Sequence, residues 1–313
     1  MLIGNHRLPD FLVIGAAKSG TTSLFHYLSQ HPRIFFPPMN KEPGFFCFSE
    51  VSVTQTNYDS PVLWSSAITD LVRYAALFSS APDASLIGEA TPEYLLLPNK
   101  TISALENTYG HDTPQLKFIA LLRNPIERIW SHYWMMRRDG FENLEYKEAV
   151  AESTIKARLS TGWHPAYDYL GYGMYGEQVT AYVRHFGRDS VRLIVFDKFR
   201  ADPVKVCQDL YGFLGLDPTF IPDVSTKHNV SGALKHPLLH RWLFTRERTL
   251  KSLARRLLPH AELQRLKARV VAWNTRPVAM PEAERTRLTA YYRDDVLRLS
   301  CLTGLDLSHW LKQ

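Results

Sequence analysis

The sequence predicts an α/β fold in which a mainly parallel central sheet is flanked by helices, and three observations predict it. Residues 11–24, Phe-Leu-Val-Ile-Gly-Ala-Ala-Lys-Ser-Gly-Thr-Thr-Ser-Leu, run apolar, break at Gly15 and restart beyond Gly20 with helical spacing. Residues 116–122 form a second apolar run of the buried-strand type. It leads into Arg123-Asn124-Pro125, where proline takes the permissive first position of a helix. Around these, short apolar runs alternate with helix-period segments as far as Leu214, as a parallel sheet covered on both faces requires.

In chain order, the first helix covers Thr22–Gln30 and stops before His31-Pro32, because a residue preceding proline resists the helical region. Ile34–Phe36 reads as a short strand ended by Pro37-Pro38, and Lys41-Glu42-Pro43-Gly44 then leads into aromatics. Residues 61–78 have helical spacing, with Trp64, Leu71, Tyr74 and Leu77 on the apolar side. Leu86–Ala90 is a strand delivering a polar loop, and a helix over Ile102–Tyr109 returns the chain to the strand at 116–122. Further helices are expected near Tyr146–Ser160, Gly176–Phe186 and Pro203–Leu214, with a strand at Val191–Phe196. A basic helical segment follows at about 232–275. From Glu282 to Leu311, Leu288, Tyr291, Tyr292, Val296, Leu299 and Trp310 mark a final helix that packs back on the core. No internal repeat, low-complexity stretch or linker interrupts the chain, so residues 1–313 read as a single domain.

A chain that is 45% hydrophobic and 22% charged is of ordinary globular composition, neither disordered nor fibrous. Cys47, Cys207 and Cys301 are odd in number and far apart, against a disulfide framework or a zinc site and in favour of a reducing compartment. The first strand follows the N-terminus at once, which leaves no room for a signal peptide, and no apolar run approaches the ~20 residues of a membrane span. A cytoplasmic location is therefore expected. The charge of +6 is concentrated: between Lys235 and Arg269 ten Lys or Arg face two Glu, while the rest carries −2. Such a segment suits an anionic substrate, a peripheral membrane surface or a protein partner, or is simply a solvated helix face. Nucleic acid is not among the expected partners.

The stretch after the first strand carries chemistry. Unpaired N–H groups at a helix start, with the positive end of its dipole, hold phosphate. Gly15 and Gly20 let the backbone approach closely, and Lys18, Ser19, Thr21 and Thr22 add charge and hydroxyls. In a nucleoside triphosphatase loop the lysine follows the second glycine directly and the next residue holds magnesium. Here Thr21 occupies the lysine's place and Lys18 lies inside the loop, so the cradle is kept, the arrangement for a triphosphate is lost and no metal is expected. Farther on, Arg123 at a strand end and Ser131 about two turns into the next helix can converge on one phosphate.

Lys18-Ser-Gly-Thr-Thr22 resembles the 5′-phosphosulfate loop of sulfotransferases that use 3′-phosphoadenosine 5′-phosphosulfate (PAPS). Arg123, Asn124, Pro125, Arg128, Ser131 and Tyr133 are similar to the 3′-phosphate motif of the same family. Lys41-Glu42-Pro-Gly-Phe45-Phe46 resembles the branch containing the heparan-sulfate N- and 3-O-sulfotransferases. The resemblance implies a P-loop-like fold and PAPS as sulfuryl donor, with 3′,5′-diphosphoadenosine as product. It implies donor contacts from Ala17, Lys18, Ser19, Gly20, Thr21, Thr22 and Ser23, from Arg123 and Ser131, and from Lys227 and Asn229 in a late covering loop. Glu42 becomes the catalytic base and Lys18 the group that stabilises the leaving oxygen, with a hydroxyl or amine of a glycan or small natural product as acceptor. The absence of the anchor carried by Golgi members points to a bacterial version. Ala90 stands where the glycan branch has a lysine, which loosens the inference to glycan.

Other residues are open to two readings. Glu42 can form a surface ion pair with Lys41, Arg128 can stabilise the fold, and Glu89 is a second active-site carboxylate or fixes its loop. Glu93 is expected to face solvent and His132 to be structural. Aromatics over Trp163–Tyr172 line an acceptor cleft or pack beneath it. The competing functions are a P-loop kinase or nucleoside triphosphatase, and a non-catalytic protein binding anionic ligands through residues 235–269.

Overall fold

The structure, a computed structural model, describes residues 1–38, 40–49, 61–64, 67–83, 85–226, 233–234, 273–276 and 278–312. Its centre is a five-stranded sheet in the order β2-β3-β1-β4-β5. The strands are β1 (Phe11–Gly15), β2 (Ile34–Phe35), β3 (Leu86–Ala90), β4 (Lys117–Leu122) and β5 (Val191–Val195). Every neighbouring pair is parallel. All five residues of β1 are buried, which is why it reads as a continuous apolar run without alternation.

Side chains still divide by the two-residue period. Leu12, Ile14, Phe118 and Leu122 enter the core on one face, and Phe11, Val13, Ile119 and Leu121 the core on the other. The second face is covered by α1 (Thr21–Leu28), through Leu24 and Leu28, and by Pro203–Phe213, through Leu210 and Tyr211. The first takes Pro98–Tyr109, α2 (Pro125–Arg138) and α3 (Tyr175–Phe186), overlaid by α4 (Glu282–Thr303). The chain leaves β1 toward β2 and β3 but leaves β4 toward β5, although β1 and β4 are neighbours. The two connections part at their carboxyl ends and open a crevice there, the usual place for a ligand in an open α/β sheet.

Several expected elements are adjusted. The segment 61–78 is not one helix: Pro61–Trp64 and Leu71–Ala76 are separate. Ile68 N–H donates to Pro43 O at 2.8 Å, and Asp70 accepts from Arg73 N–H at 2.8 Å to cap the second piece. The helix expected from Ile102 starts at Pro98, and that expected over Tyr146–Ser160 splits into Tyr146–Ala149 and Glu152–Ser160. Phe196 opens the short helix Phe196–Ala201 instead of closing β5, and α4 stops at Thr303 because Gly304 turns left-handed. The basic stretch 235–269, with Lys227 and Asn229, lies outside the described residues.

The C-terminal helix bears on the sheet's working end. Asp295 accepts from the N–H groups of Gly176 and Glu177 at 2.7 and 3.1 Å, capping α3 from a distant part of the chain. Arg285 pairs with Glu127 at 2.6 Å, and Asn124 donates to Trp310 O at 3.3 Å.

Candidate active site

The loop between β1 and α1 ends at Gly20, whose φ of +94° is readily reached without a side chain. A Cβ there would lie 3.1 Å from the Phe196 ring. No side chain caps α1. Its first N–H groups are therefore left for a ligand. Lys18 adopts a left-handed conformation, φ +67°, uncommon for a residue with a side chain. Its carbonyl accepts from Arg123 Nη1 at 3.3 Å, and its Nζ lies 3.2 Å from Met135 Sδ. Burial first, then the nearby Arg138 charge, lowers the ammonium's pKa to about 8. Arg123 sits at the end of β4, 5.3 Å above the Phe196 ring and 3.9 Å from Glu127.

Glu42 is delivered by a loop anchored from beneath. Gly44, with φ +66°, precedes the buried helix Phe45–Phe48, and its N–H donates to Thr91 Oγ1 at 3.2 Å. Thr91 donates in turn to Glu89, which also accepts from Tyr74 at 2.9 Å and Tyr94 at 2.7 Å. Glu89 is fully buried, and desolvation outweighs these three hydroxyls to raise its pKa to about 7. Its role is to fix the loop. Glu42 itself pairs with Lys41, as the bland expectation had it, yet it also lines the central cavity. Lys41 donates to Thr22 Oγ1 at 3.2 Å, so the pair ties the Glu42 loop to α1.

That cavity, of about 490 Å³, brings together Ala17, Lys18, Gly20, Thr21, Thr22 and Ser23 with Glu42 and Arg123. Ser19 and Ser131 are buried and do not line it. The remaining lining includes two sets of side chains, with Arg138 also among the lining residues. Tyr27, Phe196, Phe199 and Arg200 adjoin α1 and Arg123, with Tyr27 and Phe199 in ring contact at 6.0 Å. Phe48, Leu63, Met135, Met136 and Phe141 form an apolar wall on the other side, joined by His132, His164, Glu93 and Tyr172. Lys18 links the two, its carbonyl to Arg123 and its amine to Met135.

Glu93 is the clearest departure from the sequence-based expectation. It is partly buried, lines the cavity and accepts from the Tyr172 hydroxyl at 2.9 Å. Its pKa rises to about 7, through burial first and the negative charge of Glu42 second. His132 also reaches the cavity, but Nδ1 lies 3.0 Å from Arg128, and burial together with that charge keeps the ring neutral. Arg128 is fully buried, donates to Tyr169 O and stands 5.3 Å over the Tyr172 ring, so it stabilises the fold. Of the aromatic stretch, Tyr172 and His164 line the cavity while Tyr167 and Tyr169 pack beneath. Burial lowers the His164 pKa to about 4. Among the described residues no group of three or more His, Cys, Asp or Glu is placed to hold a metal ion.

A glycine-turned loop at the switch point, with a cation and carboxylates around one cavity, defines a P-loop-like α/β protein equipped for group transfer. The model of the sulfotransferase family matches residues 9–220, and the chain belongs to that family. It is 26% identical over 308 residues to heparan sulfate glucosamine 3-O-sulfotransferase 6 of Mus musculus, covering 97% of this chain and 74% of that protein. The membrane-associated sulfotransferase kil1 of Dictyostelium discoideum is 34% identical over 164 residues, 48% of this chain and 30% of that protein. Human heparan sulfate glucosamine 3-O-sulfotransferase 3B1 is 25% identical over 68% of this chain and 47% of its own length, so the chain spans less than half of these last two relatives. The crystal structure of a sulfotransferase from Alicyclobacillus acidocaldarius superposes with a TM-score of 0.71 at 28% identity, covering 98% of this chain and all of that one. No helix among the described residues is long and apolar enough to cross a membrane.

Proposed function

We propose that the protein transfers a sulfuryl group from PAPS to a hydroxyl or amine of a glycan or small-molecule acceptor. The hydrogen bond from Arg123 to the Lys18 carbonyl carries this reading, because it joins the two phosphate-type motifs at one cavity. The residues fit the donor. The N–H groups opening α1 and the hydroxyls of Thr21 and Thr22 hold the 5′-phosphate, and Arg123 holds the 3′-phosphate. Phe196 and Phe199 supply an apolar surface for the base.

As the acceptor attacks sulfur, Glu42 takes the proton that the attacking oxygen or nitrogen loses. The bond from sulfur to the phosphate oxygen breaks, and the electron pair stays on that oxygen. Lys18, still mostly protonated at neutral pH with a pKa of about 8, stabilises the new charge. The products are the sulfated acceptor and 3′,5′-diphosphoadenosine. Incubation with 35S-labelled PAPS, EDTA and a panel of glycans, alcohols and amines tests the reaction, and calorimetry with 3′,5′-diphosphoadenosine tests the nucleotide site. Labelled product in EDTA supports the proposal; no labelled product together with no nucleotide binding removes it.

A further inference from the structure

We infer that the acceptor is an amine with an apolar body, bound as its ammonium between Glu42 and Glu93. The inference rests on the sulfuryl-transfer reading above and names the substrate class of the same cavity. Its starting point is a carboxylate that single-base chemistry does not use. Glu93 lines the cavity with Glu42 and is held by the Tyr172 hydroxyl at 2.9 Å. An alcohol gives up one proton on transfer, and Glu42 alone can take it.

An amine that arrives as an ammonium gives up two. One proton passes to Glu93, freeing the nitrogen lone pair; nitrogen then bonds to sulfur as the sulfur–oxygen bond to the 5′-phosphate breaks, and the second N–H proton passes to Glu42. The product nitrogen carries one hydrogen and the sulfonate, and the electron pair of the broken bond leaves on the phosphate oxygen. Burial and the neighbouring Glu42 charge, which hold Glu93 near 7, suit it to receive a proton at neutral pH.

The rest of this side agrees. Phe48, Leu63, Met135, Met136 and Phe141 offer apolar surface, and His132 and His164 are kept neutral by burial. Arg138, a lining cation whose charge acts on Lys18, is engaged by Asp139 at 2.7 and 3.0 Å. An ammonium placed between Glu42 and Glu93 neutralises both carboxylates.

The test uses the whole protein, 35S-labelled PAPS and matched acceptors: 3-phenylpropylamine against 3-phenylpropanol, decylamine against decanol, and an N-deacetylated heparosan fragment as an amine on a polyanion. Amines are expected to exceed their paired alcohols and the polysaccharide in kcat/KM by about tenfold or more. Glu93→Gln is expected to lower amine kcat/KM by at least about tenfold and move the acidic limb of the pH profile, while 3′,5′-diphosphoadenosine affinity stays within about threefold. Alcohols matching amines, the polysaccharide labelled best, or no acceptor labelled while the nucleotide still binds would each overturn the inference, as would a Glu93→Gln enzyme with unchanged amine turnover. Loss of nucleotide binding in the unmodified protein would instead remove the sulfuryl-donor reading itself.

Discussion

Arg123 donates to the backbone carbonyl of Lys18 at 3.3 Å, across 105 residues of sequence. The side chain from the end of β4 therefore braces the loop that ends β1. Hydrogen bonds to charged partners contribute about 1.5–3 kcal/mol, so Arg123→Ala is expected to weaken 3′,5′-diphosphoadenosine binding roughly 10- to 100-fold. Calorimetry reads this directly, and unchanged affinity would withdraw the phosphate-binding role.

In the proposed mechanism Lys18 stabilises the leaving oxygen only while protonated. With its pKa lowered to about 8, kcat/KM is expected to fall as pH rises above that value. On the acid side, protonation of Glu93, whose pKa is raised to about 7, should reduce it for an amine acceptor, giving a narrow bell. Lys18→Ala should lower kcat by about 10²–10³-fold. Lys18→Arg keeps the charge and should move the basic limb upward; a limb that stays in place would assign it to another group.

Glu42→Gln preserves shape but accepts no proton. A loss of roughly 10²–10⁴-fold in kcat is expected, with nucleotide affinity changed only a few fold. A large fall in affinity without a matching fall in kcat would make the Glu42–Lys41–Thr22 linkage structural and nothing more.

Glu89 bears on stability. Its pKa is about 7 in the fold against 4.5 for an ordinary glutamate, so the fold binds an extra proton between these values. Its contribution is fully present below about pH 4.5 and is lost as pH rises through 7, up to about 3 kcal/mol. Urea unfolding at pH 5.5 and at pH 8 should show lower stability at the higher pH, and Glu89→Gln should shrink that difference. An unchanged pH dependence in the variant would show that Glu89 does not titrate with folding.

The sheet and its loop were legible because their signals are local. β1 is a continuous apolar run, Gly15 and Gly20 mark the turn, and Pro125 announces α2. Glu42 and Arg123 were readable from motif and position. Glu93 was not, since its neighbours in sequence say nothing of Tyr172, 79 residues away, which turns it into the cavity. The broken helix at 61–78 has a similar cause: its periodicity is helical, but the Pro43 carbonyl claims the Ile68 N–H. Glu89 was undecided in sequence because a partnered structural carboxylate and a catalytic one look alike until Tyr74 and Tyr94 are placed beside it.

The contacts of the C-terminal helix impose an order on biosynthesis. Glu127, which pairs with Arg123, is itself held by Arg285, and Asn124 at the head of the same helix reaches Trp310. A nascent chain can assemble β1 and β4 early, as domains tend to fold from the N-terminus during synthesis. The Glu127–Arg285 and Asn124–Trp310 contacts form only once residues 285–310 have been translated and have cleared the ribosomal tunnel. Until then the emerging polypeptide lacks the two contacts that tie the start of α2 to the end of the chain.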